Sequence, residues 1–286
     1  MIKNFKYFFE AVIVYFFFLI GKILGLNTSS KLFSFIFKKI GFLFKSNKII
    51  NANLYRFSKK ISKNERRKII NDMWSNYGVT FIEYIFLNIF RNEKKYVKFE
   101  NETIIKKVIK DKIPVIFVSG HFANFEIMSM ELTKMNIKLA TIYRPLNNIF
   151  LNFFMEFLRK KYICKNQIKK GRAGVKNAVK FINNNYSIAL MIDQRVSEGE
   201  IVNLFNQPAL TTTLPSQLSL KYKLNIVPIS IKRFKTNYFK IKFHKPIQSS
   251  LYKSKSKLTK RLNLELEKMI VKNPNQWIWT HNRWKL

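Results

Sequence analysis

The apolar positions of this chain form short runs that alternate with segments of helical periodicity. Five runs rich in β-branched and aromatic residues predict buried strands, at 114–119, 139–143, 187–193, 225–232 and 238–243. Helical patterns follow these runs, at 124–135, 148–161, 173–183, 213–221 and 257–271. Because strands and helices alternate in this way, the pattern predicts an α/β fold with a central mixed sheet flanked by helices.

The N-terminal region has a different pattern. Residues 11–21 are an uninterrupted apolar stretch between Glu10 and Lys22. Such a stretch is too short to span a bilayer, which takes about 20 residues. Snorkelling of the two flanking charges lengthens it to a marginal span. A cleaved secretory signal is the competing interpretation, but no small-x-small cleavage site follows.

Further aromatic residues and lysines occur at 32–44, a pattern typical of an interfacial amphipathic helix. We therefore predict that residues 1–46 are a retained membrane anchor, which either spans the membrane or lies on it. Residues 47–286 are then the catalytic domain, with a helical pair at 58–90 and an α/β core from about residue 100. The lysines of the anchor predict that this domain lies at the cytoplasmic face.

Charge adds a constraint on the partner. The chain has 53 Lys and Arg residues against 16 Asp and Glu residues, a net charge of +37, yet 47% of its residues are hydrophobic. This combination excludes a disordered tail and indicates an anionic partner: nucleic acid, acidic phospholipid or a phosphorylated glycolipid. Cys164 is the single cysteine, and no Cys/His cluster has metal-ligand spacing, so we predict neither a disulfide nor a metal or other cofactor.

The candidate chemistry lies at the end of the first predicted strand. Gly120 permits a turn, His121 follows it, and Glu126 comes five positions later. On a regular helix that spacing separates two side chains by about 140°. They converge only if His121 lies in the turn and Glu126 in the first helical turn. The imidazole can then take a proton from an attacking hydroxyl while the carboxylate fixes its tautomer. The alternative is a half-buried turn histidine and a carboxylate that complements a helix dipole.

Other polar residues follow the next strands. Arg144 comes after the second strand, and Asp193, Gln194 and Arg195 end the third. In open α/β sheets, sites collect beyond the carboxyl ends of strands, so these residues are expected at one cleft with His121. Arg144 suits an oxyanion or an acceptor phosphate, or is a surface arginine. The residues at 193–195 either hold substrate and organise the cleft or brace the structure.

Two further candidates are less constrained by the pattern. Asn124 lies near the helix start, where it either presents a polar donor to substrate or caps the helix. Arg172 lies in a lysine-rich turn, where it either binds an anionic group or is simply solvated. The aromatic C-terminus, with Trp277, Trp279 and Trp284, is expected to dock onto the domain rather than to contact a ligand, and a position at the lipid interface is the alternative.

Several blocks of sequence occur in the order of a known family. From about residue 50 to the C-terminus, the chain resembles the lipid A late acyltransferases, the lauroyl and myristoyl transferases of Gram-negative bacteria. The blocks are Gly120-His-Phe-Ala-Asn-Phe-Glu126, Tyr143-Arg-Pro-Leu-Asn-Asn148, Gly171-Arg-Ala-Gly-Val175, Asp193-Gln194, Pro208-Ala-Leu-Thr-Thr-Thr213 and Gln276-Trp-Ile-Trp-Thr-His-Asn-Arg-Trp-Lys285. The chain departs at Asn275, where an acidic residue is usual, and at Leu214, where a glycine is common.

This resemblance implies an activity and its partners. It implies a glycerolipid-acyltransferase-like fold and an enzyme that moves a fatty acyl chain from acyl carrier protein to a hydroxyl of a lipid A precursor. His121 would be the general base and Glu126 its partner, at the cytoplasmic face of the bacterial inner membrane. Arg172 would then suit a headgroup or the phosphopantetheine end of the carrier.

Two rival functions stay open. One is acyl transfer to another glycolipid or a glycerolipid, although glycerolipid acyltransferases have aspartate where this chain has Glu126. The other is a membrane-tethered nucleic-acid-binding protein, for which the sequence has charge and aromatic residues but no recognised motif, so no nucleic-acid partner is expected.

Overall fold

The computed structural model describes residues 2–43 and 45–286. Met1 and Phe44, which belong to the predicted anchor, lie outside the described residues.

A mixed sheet of seven strands forms the centre of the domain, as predicted. Its order is β1-β9-β8-β2-β5-β3-β4, and every neighbouring pair is parallel except β8 and β9. The strands are β1 (Val97–Glu100), β2 (Ile116–Ser119), β3 (Leu139–Tyr143), β4 (Asn166–Lys169), β5 (Ser187–Met191), β8 (Ile226–Lys235) and β9 (Tyr238–Phe243), with β6 (Glu200–Leu204) and β7 (Gln207–Thr211) as a separate antiparallel pair. All five predicted strands are present.

The helices cover the sheet and extend it at the N-terminus. They are α1 (Ile2–Ile40), α2 (Asn47–Phe57), α3 (Lys63–Glu83), α4 (Leu87–Asn92), α5 (Glu102–Asp111), α6 (Glu126–Lys134), α7 (Ile149–Leu158), α8 (Arg172–Asn183), α9 (Leu214–Tyr222) and α10 (Lys255–Lys272). The region predicted as a helical pair, 58–90, contains the long helix α3 and most of the short helix α4. Ser62 and Glu65 form a capping box that starts α3, so the connection between α2 and α3 ends before residue 63.

The sequence pattern missed the separate pair β6 and β7 and also two strands of the seven-stranded sheet. β1 and β4 are the two edge strands, and their sequences Val-Lys-Phe-Glu and Asn-Gln-Ile-Lys lack a continuous apolar run. Edge strands are partly solvated, so they need no such run. The central strands β2 and β5 are nearly all buried, and their parallel register places Ser119 opposite Met191. The residues that follow them therefore leave the sheet at the same edge.

Helix α1 packs along α3 on one side. It is kinked at Gly25, whose φ of 73° lies in the left-handed region. Beyond the kink, Phe33 is buried, and a Cβ atom added to Gly78 would lie 2.1 Å from its carbonyl oxygen. The Ser30 hydroxyl and the Asn237 amide form a hydrogen bond of 2.8 Å. The segment predicted as an anchor is thus also part of the protein core.

The other side of α1 is apolar and exposed. Among the described residues, one helical segment, Lys3–Leu43, is long and apolar enough to cross a membrane. Its most apolar window has a mean hydropathy of 2.0, and only 22% of that window is buried by the protein. Length and composition therefore suit membrane association.

The close crossing of α1 and α3 generates a stability prediction. We expect Gly78→Ala to destabilise the protein by about 1–3 kcal/mol, because the added Cβ must push α1 away. Alanine itself favours a helix over glycine by about 1 kcal/mol, so helix propensity alone predicts the opposite sign. Thermal unfolding in detergent measures the effect, with the exposed Asn71→Ala as the control. A Gly78→Ala protein as stable as the parent would contradict this packing.

Candidate active site

A sharp turn carries His121 out of the sheet. A Cβ atom at Gly120 would lie 2.8 Å from the Phe122 ring and 3.2 Å from an Asp193 carboxylate oxygen, so no larger residue fits there. Ala123 has a positive φ of 46°, which is rare for a residue with a side chain. The Ala123 N–H donates to the Gln276 carbonyl at 3.1 Å, so the C-terminal segment holds the turn in this strained conformation.

The partner of the His121 imidazole is Asp193. His121 Nδ1 lies 2.7 Å from Asp193 Oδ1, and the His121 backbone N–H donates to Oδ2 at 2.7 Å. Trp277 Nε1 donates to the same Oδ2 at 2.8 Å. An ionised carboxylate only accepts hydrogen bonds, so Nδ1 carries the imidazole proton. Nε2 is then the basic nitrogen, and it has no partner among the described residues.

Asp193 is held in its ionised form. Complete burial alone would raise its pKa, but the His121 imidazole, the His121 backbone N–H and Trp277 together hold the pKa of Asp193 below its usual value. An ionised, buried carboxylate on Nδ1 stabilises an imidazolium if Nε2 takes a proton. The pair can therefore perform general base catalysis.

Glu126 lies in the first turn of a helix, as predicted, but its predicted pairing with His121 is wrong. Glu126 begins α6, yet its Oε1 accepts hydrogen bonds from Tyr84 Oη at 2.9 Å and Arg159 Nε at 2.7 Å. Arg159 Nη2 lies 2.6 Å from the same oxygen. No hydrogen bond joins Glu126 to His121 in the described structure, because the parallel strand β5 brings Asp193 to Nδ1 first.

A cleft of about 510 Å³ opens around these groups, within the range of small-molecule sites. Its lining includes His121, Glu126, Arg144, Gln194 and His281. Four of the predicted site residues, at 121, 126, 144 and 194, therefore lie in one cleft at the carboxyl ends of the strands. Arg144 is exposed at the cleft mouth. Within the described residues, no group of three or more His, Cys, Asp and Glu side chains is placed to hold a metal ion.

Lys170 adds a second cation beside Arg144. Partial burial and then the nearby Arg144 lower the pKa of Lys170, as expected when an ammonium group loses water and gains a like charge. Arg172 is the first residue of α8 and is exposed in a smaller pocket that shares Lys170 with the cleft. The structure thus places Arg144, Lys170 and Arg172 along one continuous edge.

Asn124 does not face the cleft. Its side chain is fully buried and donates to Glu83 Oε2 at 3.0 Å, so the prediction of substrate contact is corrected. Helix α6 has no side-chain cap at this point either. Glu83 is paired with the buried Arg233, whose Nη2 donates to it at 2.9 Å. Asn124 therefore ties the turn to a buried ion pair behind it.

Asp193 and Arg195 also act within the protein rather than on a ligand. Asp193 is fully buried on His121. The Arg195 Nε donates to the Lys285 carbonyl at 2.8 Å, and Nη1 donates to Ser197 Oγ at 3.1 Å. Bracing, the alternative reading of these positions, is correct for Arg195. Only Gln194 of this group has its side chain in the cleft lining.

The C-terminus docks onto the domain, as predicted. Trp277, Trp279 and Trp284 are buried, and Arg283 Nη2 donates to Thr211 Oγ1 at 2.7 Å. This docking places His281 in the cleft.

Sequence reasoning missed Arg159, Lys170 and His281. Arg159 opens a π-helical turn at Arg159–Ile163, and such turns often occur at functional sites, but no sequence rule locates them. Lys170 was one lysine among many. His281 was visible as one of three histidines, but its distance in sequence from residue 121 concealed the shared cleft.

Fold and site together define an α/β enzyme with a histidine-centred cleft. A family model described as bacterial lipid A biosynthesis acyltransferase matches residues 3–286. The chain belongs to this family and is an acyltransferase, as the sequence resemblance indicated.

Two other comparisons add less. The chain matches no curated protein. Among solved structures it is similar to the 1-acyl-sn-glycerophosphate acyltransferase PlsC from Thermotoga maritima, with 14% identity, a TM-score of 0.39 and coverage of 85% of this chain and 98% of that one. A likeness this distant carries no weight for substrate or mechanism.

The bonding of His281 generates a spectroscopic prediction. The Arg195 backbone N–H donates to His281 Nε2 at 2.8 Å, so Nε2 must be unprotonated and Nδ1 must carry the proton. Burial lowers the pKa of His281 to about 4. We expect its ring ¹⁵N signals to stay those of the Nδ1-protonated neutral form from pH 8 down to about pH 5.

Three histidines make the measurement simple. Histidine-selective ¹⁵N labelling in micelles gives three sets of ring signals, and His281→Gln assigns one of them. A titration midpoint for His281 near its ordinary value of about 6.5 would contradict the burial and the hydrogen bond.

Proposed function

We propose that this enzyme transfers a fatty acyl chain from a thioester on acyl carrier protein to a hydroxyl of a lipid A precursor. The observation that carries the mechanism is the Nδ1–Asp193 hydrogen bond of 2.7 Å, which leaves Nε2 of His121 as the basic nitrogen, without a partner in the part of the chain that the structure describes. Membership of the lipid A acyltransferase family supports the acceptor class. No cofactor is needed for this reaction.

The chemical steps follow from the tautomer of His121. The acceptor hydroxyl oxygen attacks the thioester carbonyl carbon while Nε2 takes the hydroxyl proton. The buried Asp193 stabilises the resulting imidazolium. The tetrahedral oxyanion then collapses, the carbon–sulfur bond breaks, and the imidazolium returns the proton to the departing thiolate. The acyl chain passes directly to the acceptor, without an enzyme-bound ester.

Donors for the oxyanion are available in the cleft. Arg144 can supply charge-assisted hydrogen bonds, and His281 has an Nδ1–H that is unpaired among the described residues. A neutral imidazole suits this role because it adds no charge beside the His121 imidazolium.

Cations at the cleft edge suit both substrates. The carrier proteins of this family are acidic and the acceptor is phosphorylated, so Arg144, Lys170 and Arg172 can serve one or the other. Gln194 is available to bind a neutral polar group of the acceptor. With these substrates, the proposed site of action is the cytoplasmic face of the inner membrane, where carrier protein and membrane lipid meet.

For Glu126 we propose contact with the acceptor in place of the partnership with His121. Tyr84 and Arg159 both bond to Oε1 of Glu126. Among the described residues Oε2 has no hydrogen-bond partner, so it is available to a substrate hydroxyl. Arg159 holds this carboxylate in a fixed orientation. Glu126→Ala should therefore still cripple turnover, as the family resemblance implies, but through acceptor positioning.

The first functional prediction concerns the base. We expect His121→Ala to lower acyl transfer by about 10²–10⁴ without loss of folding or membrane association. His244→Ala is the matched control, because His244 is a partly buried histidine bonded to Ser230, outside the cleft lining. The assay uses acyl carrier protein charged with labelled acyl chain and lipid A precursor, with product mass as the readout. Near-normal turnover by folded His121→Ala would refute the mechanism.

Two further arms of the same assay test the acceptor and the direct transfer of the acyl chain. Lysophosphatidate as acceptor tests the glycerolipid alternative, and faster acylation of it would overturn the lipid A assignment. Incubation with acyl donor alone tests direct transfer, since a stoichiometric acyl-enzyme that goes on to product would favour covalent catalysis. Cys164 is buried, and burial raises its thiol pKa, so Cys164→Ala should stay active.

The second prediction distinguishes the two carboxylates. An amide at position 193 presents an NH₂ group to partners that are all donors in the native protein. We expect Asp193→Asn to shift the proton of His121 to Nε2 and to lower turnover by about 10²–10⁴. Glu126→Gln should lower activity but leave the Nδ1-protonated tautomer in place. The ¹⁵N ring shifts of His121 in both variants decide this: a tautomer change in Glu126→Gln alone would return Glu126 to the role of His121 partner.

A further inference from the structure

Helix α7 directs polar side chains toward the protein and large apolar side chains outward. Glu156 faces the protein, where its Oε1 accepts from Tyr143 Oη at 2.6 Å and from Asn152 Nδ2 at 2.9 Å. Phe153 and Phe157 face outward and are 77% and 54% exposed. A soluble helix shows the opposite arrangement, with its apolar face on the core. The arrangement fits a helix whose outer face meets an apolar medium.

The outer face of α7 continues onto α1. The Phe8 and Phe150 rings pack with centroids 5.7 Å apart, and Tyr15 and Phe154 pack at 5.6 Å. Tyr15 Oη also donates to the Phe150 carbonyl at 2.9 Å. The two helices therefore run side by side in the same direction.

Both helices contribute large exposed apolar side chains to this surface. They are Phe5, Phe9, Val12, Phe16 and Leu19 from α1 and Ile149, Phe153 and Phe157 from α7. Contiguous exposed apolar area of this kind marks an interaction site. We call this surface the α1–α7 face.

Position and charge indicate what covers the α1–α7 face. The segment between β3 and α7 carries Arg144 and Leu146, which line the cleft with His121, so the face begins where the cleft opens. At the other end of α7, Lys160 and Lys161 follow Phe157, and the Lys161 ammonium lies 5.3 Å from its ring centroid. Aromatic residues bordered by lysines are typical of the interface of an anionic bilayer.

A second copy of the chain is a poor occupant. Each copy carries a net charge of +37, so two copies would repel one another on approach. An anionic membrane removes that penalty, because its lipids supply the opposite charge.

We propose that α7 inserts together with the first half of α1 into one leaflet of an anionic bilayer, so that the cleft opens at the level of the lipid headgroups. The membrane contact is thus not confined to the N-terminal segment, and the catalytic domain itself supplies a helix to it. This inference concerns the lipid surface alone and does not depend on which acyl donor or acceptor the enzyme uses.

Tryptophan scanning with brominated lipids tests the insertion. The four native tryptophans are buried, at 5% exposure or less, so an added surface tryptophan reports its own surroundings. Phe153→Trp is the test variant. Leu251→Trp is the matched control, because Leu251 is 73% exposed but lies beside the start of β8, which is separated from β3 by the two strands β2 and β5. The full chain is bound to vesicles of phosphatidylethanolamine and phosphatidylglycerol, with or without dibrominated acyl chains.

The expected result is at least twofold stronger bromine quenching for Phe153→Trp than for Leu251→Trp, after subtraction of the parent signal. Equal quenching of the two variants would overturn the proposal, whatever their acyltransferase activity. Retained parental activity in detergent shows that each variant is folded.

A thiol experiment addresses other occupants. Cys164 is the single native cysteine and is buried, so Phe153→Cys adds one accessible thiol. In vesicles, a water-soluble maleimide should label Phe153→Cys several-fold more slowly than Leu251→Cys. Rapid labelling, or a disulfide-linked dimer through position 153, would overturn insertion, the latter in favour of a contact between copies.

Discussion

The buried carboxylate of Asp193 is the group on which this active site depends. It accepts hydrogen bonds from the backbone and the imidazole of His121 and from the Trp277 indole. A carboxylate without solvent is costly unless donors surround it, so folding must bring all three donors to one point. The ends of β2 and β5 and the C-terminal segment are thereby held together. The same requirement makes Nδ1 the protonated nitrogen of His121.

A second buried pair supports the turn from behind. Arg233 of β8 and Glu83 of α3 are both buried and form an ion pair, and Glu83 also accepts from Asn124. Removing one partner of such a pair typically costs about 3–5 kcal/mol, because the other charge stays buried. Since α3 also packs against α1, the long helix joins the N-terminal helix to the back of the catalytic turn. Asn76 and Thr80 of α3 also donate to the Ala123 carbonyl, so this helix helps to hold the strained turn in place.

Charge and apolar surface are separated in this molecule. Arg144, Lys170 and Arg172 border the cleft, while aromatic side chains of α1 and α7 form the adjoining exposed face. An amphipathic lipid with an anionic headgroup has the same division along its own length. The arrangement therefore suits an acceptor that stays partly in the bilayer while its polar end enters the cleft.

The sequence alone determined the five central strands, their helices and the location of His121 in a turn. Buried parallel strands need continuous apolar runs, and those runs are legible without a structure. The polar edge strands β1 and β4 were not legible, because an edge strand has no such run. Family-specific blocks of sequence also determined the acyltransferase class, which the family match confirmed.

Only the tertiary structure decided which carboxylate holds the histidine. Glu126 is five positions from His121 and Asp193 is 72, yet the parallel register of β2 and β5 places the distant residue at Nδ1. Arg159, which forms an ion pair with Glu126, lies on a π-helical turn that no periodicity predicts. The outward face of α7 was equally hidden, because periodicity locates a helix but does not say which side meets the protein. The partner of His121 and the outward face of α7 were both decided by long-range packing, which depends on the whole chain rather than on neighbouring residues.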